Sequence, residues 1–224
     1  MTRLLLVLLV LGLVGCREAP ASVSPSPAAI VDTDAKKPAR PAGFALNLSA
    51  FRWETLSRPA NNWPLSNDAS GALTFAVPPL PDSMNYLYTQ SPSRSLAGTV
   101  RVDLQAVGAG LILPWEPCSP TEIGAARVFV ISHRMDWSGE FSRWWGIPDR
   151  VDLVEGAFSL AVPVTPERWS SVYGTVGTQA PDHFASAMRD VSALGLTFGS
   201  CFFGHGIYLA SGSARVVLSR YEVR

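Results

Sequence analysis

The stretch GTVRVDLQAV, residues 98–107, decides the fold class. Val100, Val102 and Leu104 alternate with polar side chains, which is the two-residue period of a strand with one buried face. Clusters of Gly, Pro, Asn, Asp and Ser, typical of turns, separate further strand-like segments. These segments are ALTFAV (72–77), RVFVISHR (127–134), GAFSLAVPV (156–164), LGLTFGSCFF (194–203), GIYLAS (206–211) and ARVVLSRYEV (214–223).

The strand-like segments do not alternate with helices, which favours a β-sandwich or barrel over a doubly wound fold. The segment 127–134 is apolar on both faces as far as Ile131, as expected for a central strand. One short helix is predicted at PDHFASAMRDV, residues 181–191, because proline and aspartate suit a first helical turn. Phe184, Met188 and Val191 then fall on one face of that helix.

The segments from Gly156 onward also follow an order that resembles a known family. A strand ending in LAVPV (160–164) is followed by TPERWSSVYG (165–174), by the phrase ALGLTFG (193–199) and by a closing strand. This order resembles the C-terminal half of galactose-binding-like jelly rolls, which include many carbohydrate-binding modules. The resemblance implies an all-β jelly-roll sandwich with one short helix. It implies sugar binding only as one of several roles of that fold.

The N-terminal segment MTRLLLVLLVLGLVGC, residues 1–16, indicates export. Its apolar run from Leu4 to Val14 is shorter than the roughly 20 residues of a membrane-spanning helix and fits a secretion signal. The final LVGC resembles a bacterial lipobox, which implies cleavage before Cys16 and acylation of that cysteine. By resemblance to sorted lipoproteins, Arg17 rather than aspartate after the cysteine implies the outer membrane.

The chain is predicted to have three parts. Residues 1–15 form the signal peptide, and residues 16–43 form the lipidated cysteine and a Pro-, Ala- and Ser-rich linker that is too poor in apolar side chains to fold. Residues 44–224 form the β-sandwich domain. The expected location is the cell envelope, where Cys16 anchors the protein to a lipid bilayer, at the outer membrane facing the periplasm or the surface.

Charge and cysteine content narrow the possible partners. Eighteen basic and eighteen acidic residues balance, and no basic run stands out, so nucleic acid is not an expected partner. Of the three cysteines, Cys118 and Cys201 remain when Cys16 carries lipid. An even pair in an oxidising compartment predicts a disulfide, with two separate buried thiols as the alternative.

Signatures of catalysis and metal binding are weak. His133, His183 and His205 lack the spacing of a helical metal site, and the carboxylates are dispersed, so no catalytic residue, metal ligand or cofactor is predicted. The resemblance implies a structural calcium in many relatives. The nearest candidate for it, SNDASG (66–71), is better interpreted as a turn.

Aromatic residues carry the functional prediction. Sugar sites need flat apolar faces and a few fixed polar groups, and Asp136, Trp137, Arg143 and Trp145 supply both. Consecutive side chains of a strand point to opposite faces. In FSRWWGIPDR (141–150) we therefore predict Trp144 in the core and Arg143 with Trp145 on the other face, the opposite assignment remaining open.

The other aromatic residues receive plainer interpretations. Tyr86 and Tyr88 share one face of a strand, where packing is favoured over a contact surface. Trp53 alternates with Phe51 as if both belonged to a first strand, and Trp63 fits an anchor for its loop.

Three functions are compatible with these observations. The first is an exported, lipid-anchored, non-catalytic β-sandwich that binds a ligand, with carbohydrate favoured. The second is a structural or protein-interaction lipoprotein of the cell envelope, in which the aromatic residues contact a protein or the core. The third is an enzyme acting on envelope polysaccharide, which needs a facing pair of carboxylates.

Overall fold

The computed structural model describes residues 43–58, 63–132, 137–201 and 203–224, apart from the side chains of residues 92 and 93. The predicted signal peptide, Cys16 and the linker up to residue 42 lie outside the described residues, so their predictions stand untested. Within the described ranges, no helix is long and apolar enough to cross a bilayer.

Strands make up most of the described chain, with one α-helix, α1 (Pro181–Arg189), and three short 3-10 turns at Ala50–Arg52, Glu140–Ser142 and Pro166–Arg168. The strands are β1 (Phe44–Ala45), β2 (Glu54–Arg58), β3 (Ser66–Asn67), β4 (Leu73–Ala76), β5 (Ser83–Arg94), β6 (Thr99–Val107), β7 (Leu111–Pro114), β8 (Ala125–Ser132), β9 (Arg143–Gly146), β10 (Val151–Asp152), β11 (Gly156–Pro163), β12 (Trp169–Ser171), β13 (Val191–Gly199), β14 (Ile207–Ser211) and β15 (Arg215–Val223).

The strands form two sheets with antiparallel pairing. The larger sheet has the order β12-β9-β8-β13-β5-β14-β7, with β10 beside β8 and β2 beside β5. The smaller sheet has the order β11-β6-β15-β4-β3, with β1 beside β15. The prediction of an all-β jelly-roll sandwich with one short helix is therefore confirmed.

The hydrophobic core lies between the two sheets. The predicted inward residues of β6, Val100, Val102 and Leu104, are buried there. Phe75 of the smaller sheet meets Phe198 of the larger sheet edge to face, with ring centroids 5.6 Å apart. Aromatic packing of this kind adds to the free energy gained from burial alone and joins the two layers.

The helix α1 packs against the same core. Phe184 and Met188 are buried, as predicted, but Val191 begins β13 and does not continue the helix. The predicted helical face was therefore too long at its C-terminal end. Asp190 leaves the helical conformation and lets the chain enter the sheet.

The prediction that Phe51 and Trp53 alternate in a first strand is wrong. Phe51 lies in a 3-10 turn and is 81% exposed, because that turn interrupts the strand period. Trp53 is buried, and its Nε1 donates to the carbonyl oxygen of Asn47 at 2.9 Å. Trp63 does anchor its loop, since its Nε1 donates to the carbonyl oxygen of Ala76 at 2.7 Å.

The neighbouring tryptophans of β9 give the first testable prediction. Trp144 is fully buried, and its Nε1 donates to the carbonyl oxygen of Phe141 at 2.8 Å. Trp144→Ala should lower the free energy of unfolding by about 3–5 kcal/mol, because it leaves a cavity. Trp145→Ala removes a half-buried ring, so it should lower the free energy of unfolding by less than half as much as Trp144→Ala. Chemical denaturation measures both, and equal losses would contradict the inward assignment of Trp144.

Candidate ligand-binding cleft

The strand β9 divides its side chains between the core and the opposite face of the larger sheet. Trp144 points inward and packs edge to face on Phe184, with ring centroids 5.3 Å apart. Trp145 pairs with Phe129 of β8 and lies with Arg143 on the outer face. The predicted division of FSRWWGIPDR is therefore confirmed.

That outer face carries a cleft of about 990 Å³. Trp137, Arg143 and Trp145, which the sequence placed in one candidate site, all line it. The fourth candidate, Asp136, lies outside the described residues, as does His133. The structure thus brings together the three candidates that it describes.

Four aromatic rings pack together on the outer face of the larger sheet. Trp137 contacts Tyr86 and Tyr88 edge to face, with centroids 5.1 and 5.7 Å away, and its ring centroid lies 6.4 Å from that of Phe129. The interpretation of the two tyrosines as packing residues is correct but incomplete, since Tyr86 also lines the cleft. Burial raises the pKa of Tyr86, so its hydroxyl stays protonated at neutral pH.

One wall of the cleft is the loop between β13 and β14, and it is covalently fixed. The predicted disulfide joins Cys118 to Cys201. Beside it, the Glu122 carboxylate accepts hydrogen bonds from Ser200 Oγ at 2.6 Å and from the Cys118 amide at 2.7 Å. These bonds, the Ser200 hydroxyl first, hold the pKa of Glu122 below its ordinary value.

The same loop needs glycine where it approaches the floor. Gly204 has a φ of +84°, and a Cβ at this position would collide with the Tyr86 hydroxyl. Asn85 Nδ2 donates to the Gly204 carbonyl oxygen at 2.8 Å, which holds the loop on β5. His205 lies between two glycines of positive φ, as expected for a sharp turn, and its Nδ1 lies 2.7 Å from Glu116 Oε2.

The opposite wall consists of β12 and the turn that follows it, residues 170–174. Glu140 fixes this wall, because its Oε1 accepts hydrogen bonds from Thr175 Oγ1 at 2.8 Å and from Ser171 Oγ at 3.3 Å. Tyr173 stands at the rim with 74% of its surface exposed. Both segments therefore line the cleft beside its aromatic residues.

Arginine side chains lie against the rings of the cleft. The Arg127 guanidinium carbon is 4.2 Å from the centroid of Phe203, and that of Arg143 is 5.9 Å from the centroid of Trp137. Burial, with a smaller contribution from the nearby Arg150, lowers the pKa of Arg127 to about 10 against the opposing effect of Asp149. Arg127 is therefore partly desolvated and still charged at neutral pH.

Three buried donors at the cleft have no hydrogen-bond partner among the described residues. They are Nε of Arg127, Nε of Arg143 and Nε1 of Trp145. Nearly all buried polar groups in folded proteins are hydrogen-bonded, because an unpaired one costs free energy. The residues that carry these three unpaired donors all line the cleft.

The described residues offer little for holding a metal. The cluster of potential ligands that lie close enough together is Cys118, Glu122 and Cys201, and its two cysteines are joined in the disulfide. In the SNDASG segment, Ser66 and Asn67 form β3, and the predicted turn follows at residues 68–71. Its Asp68 Oδ1 accepts from the amide and hydroxyl of Ser70 at 2.8 and 2.6 Å and from the Ala72 amide at 3.1 Å.

Sequence reasoning missed several residues of the cleft: Arg58, Tyr86, Arg127, Tyr173 and Phe203. One of them left a usable signal, since Arg127 is a single charge in an otherwise apolar central strand. The others come from segments that are distant in sequence and meet only through sheet pairing. His183, by contrast, stacks on Phe141 at 4.1 Å and does not line the cleft.

No protein-family model and no curated protein matches this sequence. Several solved structures are similar to this chain at low TM-scores. A family 29 carbohydrate-binding module complexed with mannohexaose is 10% identical with a TM-score of 0.41, over 81% of this chain and 90% of that one. A xylan-binding module of family 15 is 13% identical with a TM-score of 0.41, over 80% of this chain and 97% of that one.

A candidate glycoside hydrolase from Bacteroides thetaiotaomicron is 10% identical, with a TM-score of 0.43, over 77% of this chain and 62% of that one. Likeness at these TM-scores carries no conclusion about the ligand or the chemistry of this chain.

The disulfide beside the cleft gives the second prediction. The double variant Cys118→Ser/Cys201→Ser should lower the free energy of unfolding by about 2–4 kcal/mol, because the bridge closes a long loop. It should also speed amide hydrogen exchange in residues 200–206, since that loop loses its covalent attachment. Denaturation and hydrogen-exchange mass spectrometry test both effects. Unchanged exchange in this loop would show that the bridge does not fix the wall.

Proposed function

We propose that this protein is a non-catalytic carbohydrate-binding protein that holds an oligosaccharide in the cleft on the larger sheet. One observation carries the proposal. Aromatic rings and unpaired buried donors line the same cleft. A sugar ring presents an apolar face of C–H groups and a rim of oxygen acceptors, so it matches both features together.

The aromatic part of the cleft is well suited to sugar binding because it is rigid. Trp137 is held by Tyr86 and Tyr88, and Trp145 is fixed on a strand whose next inward residue, Trp144, is buried in the core. A platform that is ordered before binding loses little conformational entropy when the ligand arrives. Such preorganisation matters most for ligands that gain little free energy per contact.

The polar part of the cleft matches the edge of a sugar. Arg127 and Arg143 donate in a fixed planar fork, and the indole N–H of Trp145 is a further donor. Together they would replace the water molecules that hydrogen-bond to a free saccharide.

Binding is favoured over hydrolysis of envelope polysaccharide. A glycosidase acts through two carboxyl groups that flank the scissile bond. The described residues that line the cleft include neither aspartate nor glutamate. The concave shape also fits a chain-like ligand better than the flat surface of a protein partner, which is the alternative of an interaction lipoprotein.

The proposal includes membrane anchoring at the cell envelope. The support is the lipobox-like LVGC that ends at Cys16 and the Pro-, Ala- and Ser-rich composition of residues 17–43. Each buried CH₂ of an acyl chain contributes about 0.8 kcal/mol, so more than one chain gives a stable anchor. The linker would hold the cleft away from the bilayer, at the outer membrane.

Glycan binding is tested with an array of envelope and plant polysaccharides and the full-length protein in detergent. Trp145→Ala should weaken binding to every glycan recognised by the wild type by about tenfold or more, because it removes a stacking face and a donor. Phe51→Ala, which removes an exposed ring remote from the cleft, is the matched control and should bind normally. Absence of binding to any glycan, or normal binding by Trp145→Ala, would refute the proposal.

Anchoring is tested by growing cells that express the protein with a labelled fatty acid. The wild type should incorporate the label and fractionate with membranes, whereas Cys16→Ala should do neither. The matched control Cys201→Ala should keep the label, because Cys201 belongs to the disulfide. Label retained by Cys16→Ala would exclude this residue as the lipidation site.

A further inference from the structure

The described lining of the cleft has an unbalanced charge. Its described lining includes three arginines, Arg58, Arg127 and Arg143, and none of its described lining residues is acidic. The chain as a whole is neutral, so this excess is local. Fixed cations around a partly enclosed cleft attract anions and exclude other cations.

Among the described residues, Arg127 has no ion pair that would explain its place in the fold. Asp149, the acidic residue that acts on its pKa, already pairs with Arg168. The remaining guanidinium pairs of the described residues join Arg150 to Asp152 and Arg220 and Arg224 to carboxylates of the smaller sheet. A desolvated cation without a counter-ion is unfavourable for the free protein, so its retention points to a ligand that supplies the counter-charge.

The sheet register separates the two arginines. Arg143 of β9 pairs with Ile131 of β8, and Arg127 lies four residues from Ile131 on the same strand. At about 3.3 Å per residue, the two backbone positions are about 13 Å apart along the sheet. The Phe129–Trp145 pair lies between the two backbone positions. The Arg127 guanidinium lies over Phe203, whereas the Arg143 guanidinium lies over Trp137 and also interacts with the Tyr86 hydroxyl.

We infer that the ligand of the cleft is an acidic oligosaccharide, whose carboxylates on separate sugar residues pair with Arg127 and Arg143 while an intervening sugar stacks on Trp145. This inference rests on the proposed function and specifies its ligand class. A carboxylate accepts two parallel hydrogen bonds from a guanidinium, so each arginine favours a negatively charged group and also fixes the orientation of that group. The aromatic residues between them supply the apolar contact that a free anion would not use.

The test compares polyuronates such as pectate, alginate and hyaluronan with their carboxyl-reduced forms, with dextran sulfate and with neutral mannan, xylan and cellulose oligosaccharides. The full-length protein in detergent should bind at least one polyuronate. It should bind the carboxyl-reduced form of that polyuronate with an affinity lower by about tenfold or more. Affinity for the polyuronate should fall as salt rises.

Each other outcome contradicts a defined part of the account. Neutral glycans bound as tightly as any polyuronate would overturn the acidic ligand and leave the proposed function intact. Preference for dextran sulfate would overturn the carboxylate assignment. Binding to none of these glycans would overturn the inference and the proposed function together.

Variants separate recognition from a structural role. Arg127→Gln and Arg143→Gln should each weaken polyuronate binding by about tenfold or more and reduce its salt dependence. Arg101→Gln, an exposed arginine of β6 on the smaller sheet, is the matched control and should bind normally. The Tm of Arg127→Gln should not fall, because the substitution removes an unpaired desolvated charge. A lower Tm with unchanged affinity would assign Arg127 a structural role and refute the inference.

Discussion

The alternation of side chains along β9 is the constraint on which both the core and the cleft depend. Because neighbouring residues of a strand face opposite sides, the buried Trp144 obliges Arg143 and Trp145 to point away from the core. The packing of Trp144 on Phe184 therefore also fixes the orientation of the cleft residues. A strand of four residues serves as the boundary between a structural face and a binding face.

The walls of the cleft are built on a different principle, because they are loops rather than strands. The Cys118–Cys201 disulfide fixes one wall, and hydrogen bonds to the Glu140 carboxylate fix the other. Gly204 then permits the first wall to touch the Tyr86 hydroxyl. Because both walls are fixed, the cleft can stay open around its aromatic rings and arginines without a ligand.

Much of this arrangement could be predicted from local sequence pattern. The two-residue period of residues 98–107 and the division of Trp144 from Trp145 were readable because each depends on neighbouring residues alone. The positions of Arg127 and Phe203 were not, because they depend on which strands pair and on where a loop folds back. The prediction for Phe51 failed for a different, local reason: it lies in a 3-10 turn, which does not keep the two-residue alternation of a strand.

The central claim is that the outer face of β9, and not its inner face, meets a saccharide. Indole N–H resonances of the tryptophans, followed by NMR while the glycan selected by the array is added, test this claim directly. The account predicts that the resonances of Trp137 and Trp145 move on binding, whereas those of the buried Trp144 and Trp169 stay in place. A Trp145 resonance that does not move at saturating ligand would contradict it.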